Sequence, residues 1–176
     1  MGAKQYLHII TASLVVTLLS AACSLQSTAD SYKYDNPKLG VSATLPGSGW
    51  KTLSPTLPEQ VDGEMAATDN LLFLILRQPG KTIDSAFMKT LLDNTAQGYG
   101  IAPPYQYTST DFHGYQALQL EGSSSNNSAS PDQHFSIVAF NARGNFYTVA
   151  AASQVAQWDK GGKEDVQSIL NSVAVR

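Results

Sequence analysis

With 176 residues, 11 Lys and Arg against 14 Asp and Glu, and a net charge of −3, the chain has the size of one domain with a sizeable core and a mildly acidic balance. The basic residues are not clustered, which excludes nucleic acid and an anionic membrane surface as electrostatic partners. Its one cysteine, Cys23, excludes an internal disulfide.

The first thirty residues have the pattern of an export signal. Lys4 is the only charge before Cys23, and an apolar run from Leu14 to Leu19 follows, broken by Thr17 and preceded by Thr11 and Ser13. A membrane span takes about 20 mostly apolar residues, so this run predicts a cleaved signal over residues 1–22 rather than a permanent anchor. Ala21 and Ala22 are small enough for a signal peptidase. The run Leu19-Ser20-Ala21-Ala22-Cys23 resembles the bacterial lipobox, with Ser20 standing where leucine is usual. That resemblance implies a cut after Ala22 and a Cys23 carrying a thioether-linked diacylglycerol and an amide-linked acyl chain, each buried methylene contributing about 0.8 kcal/mol of membrane affinity. The alternative is an ordinary secretory signal that leaves Cys23 as a free thiol, a crosslinking liability in an oxidising compartment. Cleavage removes Lys4 alone among the charges and takes the net charge from −3 to −4. Ser24 after the cysteine implies, under enterobacteria-like sorting, the outer membrane over the inner one. Residues 23–31 are polar and without period, which predicts a flexible tether.

From residue 32 onward the pattern is that of a single α+β domain. Val41 to Leu45 alternates as a strand and ends at the turn Pro46-Gly47-Ser48-Gly49; Trp50 restarts an extended segment, and two prolines between Ser54 and Pro58 impose a loop. Glu64 to Thr68 and Leu71 to Arg77 form a hairpin across Asp69-Asn70. The second arm, Leu71 to Leu76, is apolar on both faces and belongs at the centre of a covered sheet. Ile83, Phe87, Met88, Leu91 and Leu92 fall at helical spacing, so an amphipathic helix runs to near Gly98 with Thr82 as its cap. Pro103-Pro104 stops it. Two strands, Tyr105 to Thr110 and Tyr115 to Glu121, join through His113-Gly114. A Ser- and Asn-rich loop spans Gly122 to Asp132, and a hairpin of His134 to Asn141 and Asn145 to Ser153 turns at Arg143-Gly144. Val166, Ile169, Leu170 and Val173 give the stripe of a terminal helix. Hairpins between most neighbours predict an antiparallel sheet layered with helices.

On Tyr32-Lys33-Tyr34, Leu39-Gly40-Val41-Ser42, Leu45-Pro46, Trp50, the Phe112-His113-Gly114-Tyr115 turn leading into Leu118 to Glu121, the Asn145 hairpin and Ser168 to Val173, residues 32–176 resemble the PsbP-like superfamily and within it DcrB-like envelope lipoproteins. The resemblance implies an α/β/α sandwich and a non-enzymatic role: superfamily members serve as photosystem accessory subunits, secretion-effector chaperones and envelope proteins exploited by phages. It supplies no catalytic motif.

Two Asp-x-His units could gather metal ligands. Asp111 and His113, like Asp132 and His134, would share a strand face, and on adjacent strands the four would suit zinc or copper. The plainer reading is that both units end strands beside turns. No Gly-x-Ser-x-Gly elbow occurs, Gly47-Ser48-Gly49 being a turn. Asp62 and Glu64 flank Gly63 and read as solvated loop carboxylates. Tyr32/Tyr34 and Tyr105/Tyr107 are same-face pairs suited to a partner interface or to covering sheet edges. The expected function is therefore a lipid-anchored, periplasm-facing accessory or protein-binding module with no catalytic residue, cofactor or metal, and with no nucleic-acid partner. A periplasmic immunity lipoprotein that blocks a delivered toxin is the alternative, ahead of a metal carrier or an enzyme.

Overall fold

The computed structural model describes residues 30–124 and 132–176, so the signal segment, Cys23 and the middle of the Ser/Asn-rich loop lie outside the described residues. In chain order the elements are β1 (Ser31–Asn36), β2 (Val41–Pro46), β3 (Lys51–Leu53), β4 (Asp62–Ala67), β5 (Leu71–Gln78), α1 (Ser85–Gly98), β6 (Tyr107–Phe112), β7 (Tyr115–Ser123), β8 (Gln133–Ala142), β9 (Asn145–Gln154), α2 (Val155–Gln157), α3 (Lys163–Ser172) and β10 (Ala174–Val175). A seven-stranded sheet runs β3-β4-β5-β9-β8-β7-β6 and a second, three-stranded sheet runs β1-β2-β10; every strand pairing is antiparallel. The α+β reading holds, with an addition: the first strands and the last form a sheet of their own. The first strand starts at Ser31, inside the segment read as tether.

Strand alternation divides the core between the faces of the large sheet. Leu72 and Leu74 of β5, Phe135, Ile137 and Ala139 of β8, and Ala150 and Ala152 of β9 pack under Met88, Leu92 and Ala96 of α1. Their neighbours Phe73, Ile75, Val138, Phe140, Val149 and Ala151 face the other way, onto Tyr34, Val41 and Leu45 of the small sheet and Val166, Ile169 and Leu170 of α3. β5 is buried on both faces as its unbroken apolar run requires. Long-range bonds tie the layers to one another and the chain's last residue to the small sheet. The Tyr147 hydroxyl donates to the Leu39 carbonyl at 3.1 Å, the Ser172 hydroxyl donates to the Thr44 carbonyl at 3.0 Å, and Arg176 N donates to the Gly40 carbonyl at 2.8 Å.

Local chemistry sets the boundaries. The β6–β7 and β8–β9 turns place His113 (φ 56°) with Gly114 (φ 85°) and Arg143 (φ 50°) with Gly144 (φ 76°) in the left-handed region, as two-residue hairpins whose twist matches their strands demand. The cap of α1 is Asp84, not Thr82: its Oδ1 accepts from Phe87 N at 2.8 Å. The Asn141 side chain accepts from Ile83 N at 2.9 Å and donates to the Ile83 carbonyl at 2.7 Å, which ties that residue to β8 and delays the helix past it. Phe87, expected in the buried stripe, is 42 % exposed.

Candidate functional site

The carboxylates read as solvated are engaged instead. Asp62 and Glu64 belong to β4, and a Cβ on Gly63 between them would lie 2.6 Å from Leu76 Cδ2 and 2.7 Å from Leu57 Cδ1, so the position is a close approach and not a loop. Asp62 meets Arg77 at 2.7 Å and Lys38 at 3.0 Å, and these hydrogen bonds, Arg77's first, hold its carboxyl below the usual carboxylate range. Glu64 Oε2 accepts from the Tyr34 hydroxyl at 2.7 Å and from Asn36 Nδ2 at 2.6 Å. Burial, reinforced by Glu64, raises the Tyr34 phenol, which stays protonated as the donor. This cluster joins β1 to β4 and β5, and its work is cohesion of the two sheets. It also separates the first tyrosine pair, leaving Tyr34 buried at 3 % and Tyr32 exposed at 38 %.

The Asp-x-His units do not meet. The first ends β6: Asp111 Oδ1 accepts from Gly114 N at 2.8 Å inside the turn, and His113 Nε2 lies 3.1 Å from the Leu170 carbonyl near the end of α3. The second begins β8, opposite the far end of β7, where Ser123 pairs with His134. From Tyr115 to Ser123 the strand rises roughly 26 Å, too far for shared metal ligands. Among the described residues, no three His, Cys, Asp or Glu side chains are placed to hold a metal ion.

The second unit lies beside an opening in the sheet edge. β6 pairs with β7 only as far as Tyr107 opposite Leu120, while β7 continues to Ser123. The chain before β6 swings away and returns at a bridge between Ile101 and Ser124. A notch of about 570 Å³ remains in the sheet edge, with Ile101, Tyr105, Thr108, Gln119, Glu121 and Ser123 on its walls. Gly122 lets Ile101 close one end, since a Cβ there would stand 2.5 Å from Ile101 Cγ2. Of the second tyrosine pair only Tyr105 lines the notch, its hydroxyl donating to the Ile101 carbonyl at 3.3 Å, while Tyr107 packs against the core under α1 with Lys89 Nζ 4.8 Å above its ring.

Alternation turns Gln119, Glu121 and Ser123 to one face of β7, with His134 and Ser136 beside them on β8. Gln119 Nε2 donates to Glu121 Oε1 at 3.1 Å and to Ser136 Oγ at 2.9 Å, and Ser123 Oγ and His134 Nδ1 share a hydrogen bond of 2.7 Å. The His134 ring packs against Trp158, tilted by 34° with 3.8 Å between centroids. Trp158 opens the kinked connection 158–162, in which Gly161 takes φ 110° and Gly162 is buried against Ser153 Oγ, where a Cβ has no room. Sequence reasoning passed over Gln119, Glu121, Ser123 and Trp158; the readable signal was a polar residue at every second position of a strand with apolar neighbours. The assembly offers neutral donors and acceptors, one carboxylate and aromatic rings, which is recognition chemistry.

Burial lowers the His134 imidazole below its ordinary value and Lys163 adds to this, against the opposing pull of Glu121 and Asp159. A depressed folded pKa means stability is complete above about 6.5, the unfolded value, and is lost as pH falls through the folded one. The wild-type melting temperature is therefore expected to fall between about pH 7 and pH 5, and His134→Gln to flatten that fall in thermal melts. An equal fall in both proteins would show that His134 is not the titrating group.

No family model matches the chain, and no curated protein matches it at a significant level. Solved structures do. The solution structure of the cyanobacterial PsbP (CyanoP) of Synechocystis sp. PCC 6803 is 18% identical and covers 89% of this chain and 98% of its own, with a TM-score of 0.56. A crystal structure from Bacteroides thetaiotaomicron is 11% identical over 82% of this chain and 48% of its own, with a TM-score of 0.52. LpqN of Mycobacterium tuberculosis, described as involved in cell envelope biogenesis, is 12% identical over 77% of this chain and 90% of its own, with a TM-score of 0.41. The chain has the PsbP-like fold.

Proposed function

We propose that this chain is an envelope lipoprotein that works as a non-enzymatic accessory module through protein contacts, with the lipid on Cys23 holding the PsbP-like domain at the periplasmic face, on the outer membrane in preference to the inner. The observation that carries the binding role is the surface formed by the notch and the adjoining Gln119-Glu121-Ser123-His134-Trp158 face. Interfaces favour tyrosine and tryptophan ringed by satisfied polar groups, and this surface places Tyr105 and Trp158 around hydrogen-bonded amides, hydroxyls and one carboxylate. The export signal pattern, the lipobox resemblance and the PsbP-like fold support the location and the accessory role together.

The test is crosslinking of the full chain in intact membranes followed by capture and identification. The expected result is a reproducible protein adduct that Trp158→Ala reduces strongly, since losing a tryptophan anchor costs about 2 kcal/mol or roughly thirtyfold in affinity. Gln97→Ala, exposed on the α1 layer, should leave it unchanged. An adduct indifferent to Trp158→Ala would move the partner to another face, and no adduct in any sample would sink the reading.

A further inference from the structure

We infer that two copies of this chain pair edge to edge through β6, forming one continuous antiparallel sheet across a twofold axis at Ser109. The large sheet ends on β3 and β6. The first edge is blunt: β3 has three residues, between the positive-φ Gly49 and the prolines at 55 and 58. Of the small sheet's two edge strands, β1 carries Lys33 and Asp35 and β10 has only two residues. The β6 edge is less guarded. Its six residues, Tyr-Thr-Ser-Thr-Asp-Phe, pair with β7 in one unbroken register without a bulge, proline or lysine, and Asp111 is its single charge. Proteins protect long flat edges with charge, proline or bulges because unpaired main-chain groups template another strand.

The hairpin fixes which groups face outward. A two-residue turn makes Phe112 and Tyr115 a hydrogen-bonded pair, so Phe112, Thr110 and Thr108 point their main-chain groups at β7. Those of Tyr107, Ser109 and Asp111 point away from the sheet, and these three are symmetric about Ser109. An antiparallel self-pairing centred there sets Ser109 against the partner's Ser109, Tyr107 against the partner's Asp111, and Thr108 against the partner's Thr110. All three outward residues are then bonded in each copy. Centring on Asp111 opposes two carboxylates, and centring on Thr108 or Thr110 pairs only two of the three. Charge and hydrogen-bond count select the same register.

Sedimentation of the full chain in detergent is expected to show a dimer with Kd of about 100 µM or tighter. Ser109→Pro removes the outward N–H, a substitution edge strands tolerate, and should yield a folded monomer that melts with the wild type at dilutions where the wild type is itself monomeric. Should that variant misfold, Ser109→Cys decides. Opposed residues of a hydrogen-bonded pair have Cα atoms about 5.5 Å apart, within disulfide reach, so mild oxidation should give a covalent dimer beyond any wild-type background. Tyr107→Cys, roughly 13 Å from its own counterpart, should not. A monomeric wild type, a dimer that survives Ser109→Pro in folded protein, or a Ser109→Cys adduct to a different protein would each overturn the inference.

Discussion

Phe140→Ala is expected to destabilise the domain by about 3–5 kcal/mol, the range for deleting a fully buried phenylalanine. Phe140 has no exposed surface, and its ring meets those of Phe112 at 4.9 Å, Tyr147 at 5.5 Å and Tyr115 at 5.8 Å, so a single side chain joins the aromatic residues of β6, β7 and β9. One of those neighbours, Tyr147, carries the hydroxyl that holds the Leu39 carbonyl of the small sheet, so the cavity would open beside the contact between layers. A fall in melting temperature of roughly 10 °C or more is expected, with Phe87→Ala on the exposed side of α1 changing stability by less than about 0.5 kcal/mol. Denaturant titration of both variants checks the contrast. A loss below about 1 kcal/mol for Phe140→Ala would mean that the large sheet does not close over this ring as described.

Glu64→Ala is expected to cost about 1–3 kcal/mol, although it removes only a carboxylate. The loss arises from what is left behind: the Tyr34 hydroxyl, on a residue 3 % exposed, and Asn36 Nδ2 both lose their acceptor. Tyr34→Phe removes the orphaned hydroxyl, so Glu64→Ala should cost less in that background than in wild type. Glu64→Gln, which keeps an acceptor oxygen, should cost less than Glu64→Ala. Strictly additive single and double variants would show that the Tyr34–Glu64 contact carries no coupling energy.

The legible parts of the fold were those written in local period and turn chemistry. Leu71 to Leu76 could only be a strand buried on both faces, and Val166, Ile169, Leu170 and Val173 could only face a core; all of the latter are buried. The two-residue turns at His113-Gly114 and Arg143-Gly144 were legible for the same reason. The separate small sheet was not, because it unites Val41 with Val175 across the whole chain. Asp62 and Glu64 looked solvated because Glu64's donors lie 30 and 28 residues away in sequence, and a neighbouring glycine reads as a loop until the crowding by Leu57 and Leu76 is seen. The start of α1 shifted from one good capping residue to another because Asn141, 58 residues on, holds Ile83 to the sheet. The candidate surface followed the same rule: its residues are ordinary strand polars, and only the early end of β6 and the placement of Trp158 over His134 bring them together.

Location is central to the account, and Cys23 carries it. Growing cells that express the full chain with a clickable palmitate analogue measures it most directly. The account predicts a labelled protein in the membrane fraction, with Cys23→Ser both unlabelled and released from that fraction. Label that survives Cys23→Ser, or a wild-type chain that stays unlabelled, would contradict it.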